Sequence, residues 1–260
     1  MFASEDGPAG EGRRGKRPQL PPDLAARARP VSTAAVRLLP LSAPLGPLFP
    51  DGALRRGSTT VVTGVPGLGA TTLALALLAA PSTSGSWCGI VGLADPGVAA
   101  MAELGIDLGR VVLVPRPGGR WAEAVGELLG GVDVVLVRPP GSCRAPLARR
   151  LAARSRERRT ALVVLVDRAG EWPEAPDLVL RATAASWRGV GRGYGYLRGR
   201  LAEVQVAGRR SADRTTSCRL WLPSGSGCVA AVASPATGAD PVREAGAAPR
   251  RVVGAPAGVV

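Results

Sequence analysis

Histidine is absent from this sequence of 260 residues, and Lys16 is its one lysine, so that arginine supplies every other basic side chain. Without histidine, the chain cannot form a Ser-His-Asp triad, a Cys-His pair or a histidine-ligated zinc site. Because Lys16 lies in a polar N-terminal segment, a nucleotide site whose phosphate-binding lysine comes from the domain interior is also excluded. Aromatic residues make up 3% of the chain, so a core must consist mainly of alanine, valine and leucine.

The charges of the sequence are strongly unbalanced. The formal net charge is +13 and the pI is about 11.3. This excess favours an acidic partner, either a nucleic acid or an acidic protein surface. The alternative is that a GC-rich coding sequence accounts for part of the arginine, together with the 35 glycines and 24 prolines.

The cysteines form no Cys-x-x-Cys pair, and the first 30 residues contain no apolar stretch typical of a signal peptide. We therefore expect reduced, semi-buried thiols. The four cysteines are Cys88, Cys143, Cys218 and Cys228. The longest solid apolar run, Leu73 to Ala80, is far shorter than the roughly 20 residues of a membrane span. We expect a soluble cytoplasmic protein with no membrane partner, associated with the nucleoid when it acts.

Composition divides the chain into four parts. Both ends are rich in proline, glycine and charge and lack hydrophobic periodicity, which predicts disorder. The predicted parts are a disordered basic arm at 1–30, a linker or packing segment at 31–49, a folded domain at 50–233 and a disordered tail at 234–260.

Apolar strands and helical segments alternate between residues 58 and 166. Unbroken valine and leucine strands indicate a mostly parallel sheet with helices on both faces, hence an α/β fold. The predicted strands are 58–63, 87–93, 110–115, 132–137 and 160–166, and the predicted helices are 71–80, 98–104, 121–131 and 145–159. After Asp177, three strands follow without helices, and we expect them to extend the sheet antiparallel.

A glycine-rich loop joins the first of these strands to the first helix. Compared with the phosphate-loop pattern G-x-x-x-x-G-K-[ST], Ala70 stands where the lysine is required. The candidate cofactor-binding residues of this vestigial loop are Gly64, Gly67, Gly69, Thr71 and Thr72. Because the cation is missing, we expect no hydrolysis, no cofactor and no metal. ATP binding without hydrolysis is the alternative.

Residues 50 to about 223 resemble the core of the RecA recombinases. The resemblance rests on GALRRGSTTVVTGVPGLGATTLALALLAA, on AELGIDLGRVVLV followed by a helix and VDVVLV, and on TALVVLVDR. It implies a RecA-like P-loop core. It also implies that Leu93 replaces the catalytic glutamate, Arg138 the magnesium-binding aspartate and Asp167 the γ-phosphate-sensing glutamine. With Ala70 in place of lysine, the resemblance implies a pseudo-ATPase.

The degenerate pattern is more similar to the short RecA-like mutasome accessory proteins of actinobacteria, of the ImuA type. That resemblance implies an adaptor in DNA-damage-induced translesion synthesis and mutagenesis. The partners it implies are a Y-family polymerase homologue and an error-prone C-family polymerase, and DNA is a further candidate partner.

Two arginine-rich segments are candidates for DNA or partner contact. The predicted helix at 145–159 presents Arg149, Arg150 and Arg154, and a solvated face is the alternative. Residues 186–200 alternate aromatic and basic side chains, which suits single-stranded nucleic acid or a protein hot spot. The candidates there are Trp187, Arg188, Arg192, Tyr194, Tyr196 and Arg198. A strand–turn–strand with aromatics tucked into the sheet is the alternative.

Three further tryptophans carry structural expectations. Trp121 and Trp221 lie on apolar faces and are expected in the core, whereas Trp172 beside Glu171 and Pro173 is expected to be exposed. Two other functions stay open at this stage. One is a single-stranded DNA-binding repair or recombination protein, and the other is a RecA-like inhibitor of cell division.

Overall fold

The computed structural model describes residues 37–190, 195–208 and 216–232. The predicted arm, the predicted tail and the candidate residues Arg192 and Tyr194 lie outside these ranges. The fold is α/β, with one large mixed sheet of mostly parallel strands and helices packed against it.

The strands are β1 (Leu38–Leu39), β2 (Leu54–Arg55), β3 (Thr59–Thr63), β4 (Cys88–Val91), β5 (Val111–Val114), β6 (Val134–Val137), β7 (Ala161–Val166), β8 (Leu178–Val190), β9 (Gly195–Gly208), β10 (Thr216–Trp221) and β11 (Ala230–Ala231). The α-helices are α1 (Ala70–Ala76), α2 (Ala79–Thr83), α3 (Val98–Glu103), α4 (Trp121–Leu128) and α5 (Ala145–Arg158). The single helix predicted over 71–80 is therefore wrong. Pro81 cannot donate to the Leu77 carbonyl and clashes with it, so the helix breaks between Ala76 and Ala79.

The large sheet has nine described strands in the order β11-β10-β9-β8-β3-β7-β6-β4-β5. In this order, all neighbouring strands from β8 to β5 pair parallel, whereas β8 with β9, β9 with β10 and β10 with β11 pair antiparallel. The predicted parallel sheet with antiparallel strands added C-terminally is confirmed. β1 and β2 form a separate two-stranded sheet.

Two hydrophobic cores lie on opposite faces of this sheet. Alternate residues of the central strands point to opposite sides, as Val61 and Val62 do in β3. The core on one side includes α1, α2 and Met101 of α3, and the core on the other includes Trp121 of α4 and Leu151 of α5. The prediction of helices on both faces is confirmed. Because both faces are buried, the central strands carry no charged residue.

The segment before the loop also packs on the domain. Leu39, Leu45, Leu48 and Phe49 are buried in the same core as α1. No helix in the ranges that the structure describes is long and apolar enough to cross a membrane.

The burial of the three tryptophans agrees only in part with the predictions. Trp121 is buried as predicted, and Trp221 is half-buried. The expectation for Trp172 is wrong, because its side chain is only 3% exposed and packs in the core beneath α5. A single 3-10 turn at Ala169–Glu171 folds the chain back, and Cys143 N donates to Glu171 O at 3.0 Å, which closes the protein over the indole.

All four cysteines are free thiols in the described chain. Cys88 and Cys143 are buried, Cys218 is half-buried and Cys228 is exposed. Burial raises the pKa of the Cys88 thiol to about 12, and the nearby charge of Asp133 adds to this rise. Burial also raises the pKa of Cys143 and of Cys218. These three thiols therefore stay protonated and unreactive near neutral pH.

Candidate functional site

The glycine-rich loop follows the carboxyl end of β3 and leads into α1, as the sequence predicts. Gly67 has a φ of 93° and Gly69 a φ of 101°, values that favour glycine. Gly64 is in extended backbone, but a β-carbon there would lie 2.9 Å from the Ala182 carbonyl oxygen. The loop therefore needs glycine at Gly64 to approach β8, and at Gly67 and Gly69 to adopt a positive φ. It borders a cleft of about 240 Å³ that also contains Thr71 and Thr72.

Arg200 of β9 inserts its guanidinium into this loop. Its Nη2 donates to Thr72 Oγ1 at 2.8 Å, and its Nη1 donates to the Gly67 carbonyl at 3.3 Å. Its Nε donates to the Leu222 carbonyl at 2.7 Å. A β-carbon at Gly69 would lie 2.8 Å from Nη2, so the guanidinium rests directly against the loop backbone. Arg200 ends the arginine-rich segment 186–200, but its own side chain is buried against the loop.

The charge of Arg200 is held by oxygen dipoles and an aromatic ring. The residue is 7% exposed, and burial lowers its pKa. No carboxylate of the described chain forms an ion pair with it. Its guanidinium carbon lies 5.1 Å from the ring centroid of Trp187, a cation–π distance. The guanidinium thus lies against the loop at Gly67, Gly69 and Thr72, with its donors bound to oxygen acceptors.

An ion pair forms another wall of the same cleft. Arg138 Nη2 lies 2.9 Å from Asp167 Oδ1, and both side chains are roughly half-exposed. Thr63 Oγ1 at the end of β3 donates to the Asp167 carbonyl at 2.9 Å, which fixes this residue beside the loop. The structure thus brings together Ala70, Arg138 and Asp167, three of the positions singled out by the resemblance. Leu93, the fourth, is 5% exposed and packs in the core.

The donor set of the cleft does not suit a divalent cation. Mg²⁺ prefers carboxylate and water oxygens, but the Asp167 carboxylate is paired with Arg138, and Arg200 adds a second positive charge. Within the described ranges, no group of three His, Cys, Asp or Glu residues could hold a metal ion.

The predicted arginine contacts on α5 lie away from this cleft. Arg149 Nε is 3.7 Å from Glu174 Oε2, and Arg154 Nη2 is 3.8 Å from Glu127 Oε1. Arg150 is exposed. Two of these three side chains therefore have a carboxylate of the same chain nearby.

The segment with alternating aromatic and basic residues forms the outer part of the β8–β9 hairpin. Tyr196 is 85% exposed and Trp187 is 48% exposed, and Leu197 beside them is also exposed. Arg188 and Arg198 line a shallow groove with Trp221. The strand pairing matches the strand–turn–strand alternative, but the described aromatic rings lie on the surface.

Sequence reasoning missed the role of Arg200. The pattern from residue 200 to 208 predicts a strand correctly, but it gives no sign that this strand crosses the loop. The available signal was an arginine at the start of a strand whose next two residues, Leu201 and Ala202, are apolar. This signal could not be interpreted from the sequence, because the contact joins Arg200 to a loop far away in the chain.

Comparison with known proteins places similarity on the half of the chain that carries the loop. Residues 47–174 match the family model described as MT3502 N-terminal domain. The chain is 33% identical over 129 residues to "Uncharacterized protein Rv3395c" of Mycobacterium tuberculosis (strain ATCC 25618 / H37Rv). That match covers 49% of this chain and 60% of the relative, so the chain spans less than two thirds of that relative's length. The family match includes Ala70, Arg138 and Asp167 and ends before Arg200.

Proposed function

We propose that this chain is a RecA-like accessory protein that does not hydrolyse ATP and acts as an adaptor for an error-prone polymerase complex in DNA-damage-induced translesion synthesis. The observation that carries the non-catalytic part is the Arg200 guanidinium, which donates to Gly67 and Thr72 of the loop. The translesion role and its polymerase partners rest on the sequence resemblance to proteins of the ImuA type.

The missing lysine and the position of Arg200 support the proposed absence of ATPase activity. In a working phosphate loop, a lysine from the helix start reaches the β- and γ-phosphates. Here Ala70 occupies that position and is 6% exposed, while Arg200 enters from β9 and is held by three oxygen acceptors. Arg138 adds a positive charge where the resemblance implies a magnesium ligand. Mg²⁺ would find no free carboxylate among the described residues of this cleft, and the phosphates would meet an Arg200 guanidinium whose donors are already bound to oxygen acceptors.

An adaptor needs an exposed surface with anchoring side chains. The β8–β9 hairpin offers Tyr196, Leu197 and Trp187, all exposed, beside Arg188 and Arg198. Tyrosine, tryptophan and arginine are the residue types that contribute most to protein interfaces. This surface supports the adaptor proposal, with the Y-family polymerase homologue as the partner.

The purified protein is expected to release no phosphate from ATP in the presence of Mg²⁺. The measurement is steady-state phosphate release, with an active RecA recombinase as the positive control. ATP binding is measured in parallel by titration calorimetry, and we expect no heat of binding. Magnesium-dependent turnover comparable to that of the control would overturn the non-catalytic part of the proposal.

Tyr196→Ser and Leu197→Ser are expected to weaken co-purification with the Y-family polymerase homologue of the same genome by about tenfold or more each. Both side chains are exposed, so the melting temperature should stay unchanged. Leu108→Ser is the matched control, because Leu108 is an exposed apolar residue of a separate turn. Equal retention of the polymerase by all three variants would contradict the hairpin as the adaptor surface.

A second candidate function is single-stranded DNA binding through the same hairpin. It is favoured by exposed aromatic rings that alternate with arginines, since bases stack on such rings. This function predicts that Tyr196→Ser lowers the affinity for single strands far more than the affinity for duplex DNA. If Tyr196→Ser loses binding to the polymerase homologue but keeps its affinity for DNA, the adaptor function is favoured.

A further inference from the structure

A second cleft, lined by arginines, lies at the amino ends of the parallel strands. The glycine-rich loop follows the carboxyl end of β3, whereas β2 leads into its amino end and α5 leads into the amino end of β7. The segment after β2 and the end of α5 lie close together, since a β-carbon at Gly57 would be 3.3 Å from the Cα of Arg156. The cleft measures about 500 Å³. Its arginines are Arg37, Arg55, Arg56, Arg156 and Arg159.

The arginines of this cleft outnumber its carboxylates. Arg55 pairs with Asp51 at 3.1 Å, and Arg56 pairs with Asp133. Arg37, Arg156 and Arg159 are exposed and have no carboxylate partner within the residues that the structure describes. The cleft thus keeps three unneutralised guanidinium groups that face one space.

The backbone beneath these arginines is held by hydrogen bonds. Arg56 N donates to the Arg37 carbonyl at 2.8 Å, which fixes the two residues side by side. At the end of α5, the buried Ser155 Oγ donates to the Thr160 carbonyl at 2.7 Å. Thr160 Oγ1 in turn donates to the Leu129 carbonyl at 2.8 Å. These bonds fix the backbone from which the arginine side chains extend, so the backbone of the cleft does not have to be ordered on binding.

Arg159 adds an observation that is independent of charge. It caps α5 in the left-handed region, with a φ of 56° and a ψ of 34°, and it is the one non-glycine residue of the described chain with positive φ. Glycine is the usual residue at such a helix end because a β-carbon is disfavoured there. An arginine at this position gives up stability, and strain of this kind concentrates at functional sites.

We propose that this cleft binds the phosphodiester backbone of a nucleic acid. A planar guanidinium group can donate two parallel hydrogen bonds to two oxygens of one phosphate. No aromatic side chain lines the cleft in the described part of the chain, so bases would not stack there and binding would be independent of base sequence. Leu38 is its one large apolar residue, which disfavours an acidic peptide that needs buried anchors. The site lies apart from the loop and the hairpin and does not depend on the proposed function.

Arg159→Gly tests this proposal because it separates binding from stability. The melting temperature should stay the same or rise, since glycine suits the left-handed cap. The affinity for a labelled duplex of about 30 base pairs should fall about three- to tenfold, and the slope of log affinity against log salt should fall by about 1. The measurement is fluorescence anisotropy over a salt series, with thermal unfolding of the same samples.

A pair of charge-matched double variants controls for net charge. Arg37→Gln with Arg156→Gln should weaken duplex binding by about ten- to a hundredfold and lower the salt slope by about 2. Arg116→Gln with Arg219→Gln removes the same charge from exposed sites outside the cleft, and it should change the affinity far less. Equal losses in both double variants would overturn the proposal, as would wild-type binding by Arg159→Gly. Displacement of the duplex by a polyglutamate of equal charge at lower concentration would instead assign the cleft to an acidic protein.

Discussion

Arg200→Ala is expected to lower the free energy of unfolding by about 3 kcal/mol, the combined effect of three lost charge-assisted hydrogen bonds and a partly offsetting gain in solvation. The Leu222 carbonyl, the Gly67 carbonyl and Thr72 Oγ1 would each lose their guanidinium donor. The offset is the cost of keeping an unpaired cation at 7% exposure, which the variant no longer bears. For a domain of this size, the expected decrease in melting temperature is about 6–12 °C.

Two variants check this assignment. Arg198→Ala removes an exposed arginine from the same strand and should change stability by no more than about 0.5 kcal/mol. Arg200→Lys keeps the charge but cannot reach three acceptors in different directions, so it should recover less than half of the loss. The measurement is denaturant unfolding followed by circular dichroism. A loss for Arg198→Ala as large as that for Arg200→Ala would contradict a specific anchor in the loop.

Gly92→Ala is expected to destabilise the protein by about 3 kcal/mol, through a steric overlap and an unfavourable backbone angle. Gly92 follows β4 with a φ of 81°, and a β-carbon there would overlap the carbonyl oxygen of Arg138. The backbone of Arg138 would have to move, and its ion pair with Asp167 would move with it. The same overlap should therefore disturb one wall of the loop cleft.

Gly85→Ala separates the two contributions to this effect. Gly85 has a φ of 94°, and a β-carbon there meets no atom within 4 Å. It should carry only the backbone penalty of about 1 kcal/mol. Chemical denaturation of both variants gives the steric contribution as the difference between them. Equal losses at Gly85 and Gly92 would show that the contact with Arg138 has no energetic weight.

The sequence predicts the sheet well because its central strands are buried on both faces. A strand such as β7, which is apolar at every position, can be placed within one residue from its composition alone. The loop between β3 and α1 is equally recognisable, since its glycines have to follow a strand and precede a helix. Local patterns of this kind depend on neighbouring residues only.

Contacts between distant segments explain what the sequence could not predict. Trp172 lies in a polar loop, but the turn at Ala169–Glu171 and the Cys143 backbone enclose it. Arg200 lies among exposed arginines, but its strand carries it over the loop formed near residue 67. In both cases the side chain is buried by residues that sequence periodicity cannot place beside it.

The Arg200 guanidinium also opposes the introduction of a lysine into the loop. A lysine introduced at Ala70, a position that is 6% exposed, would bring a second cation to a loop that already contains one. Loss of Arg200 as the first step would leave the Leu222 carbonyl without its guanidinium donor and lower stability. Either order of the two changes is expected to pass through a less stable intermediate, because both positions line one cleft. Descendants of this chain are therefore expected to keep the alanine and the arginine together, so that Ala70 and Arg200 change as a pair.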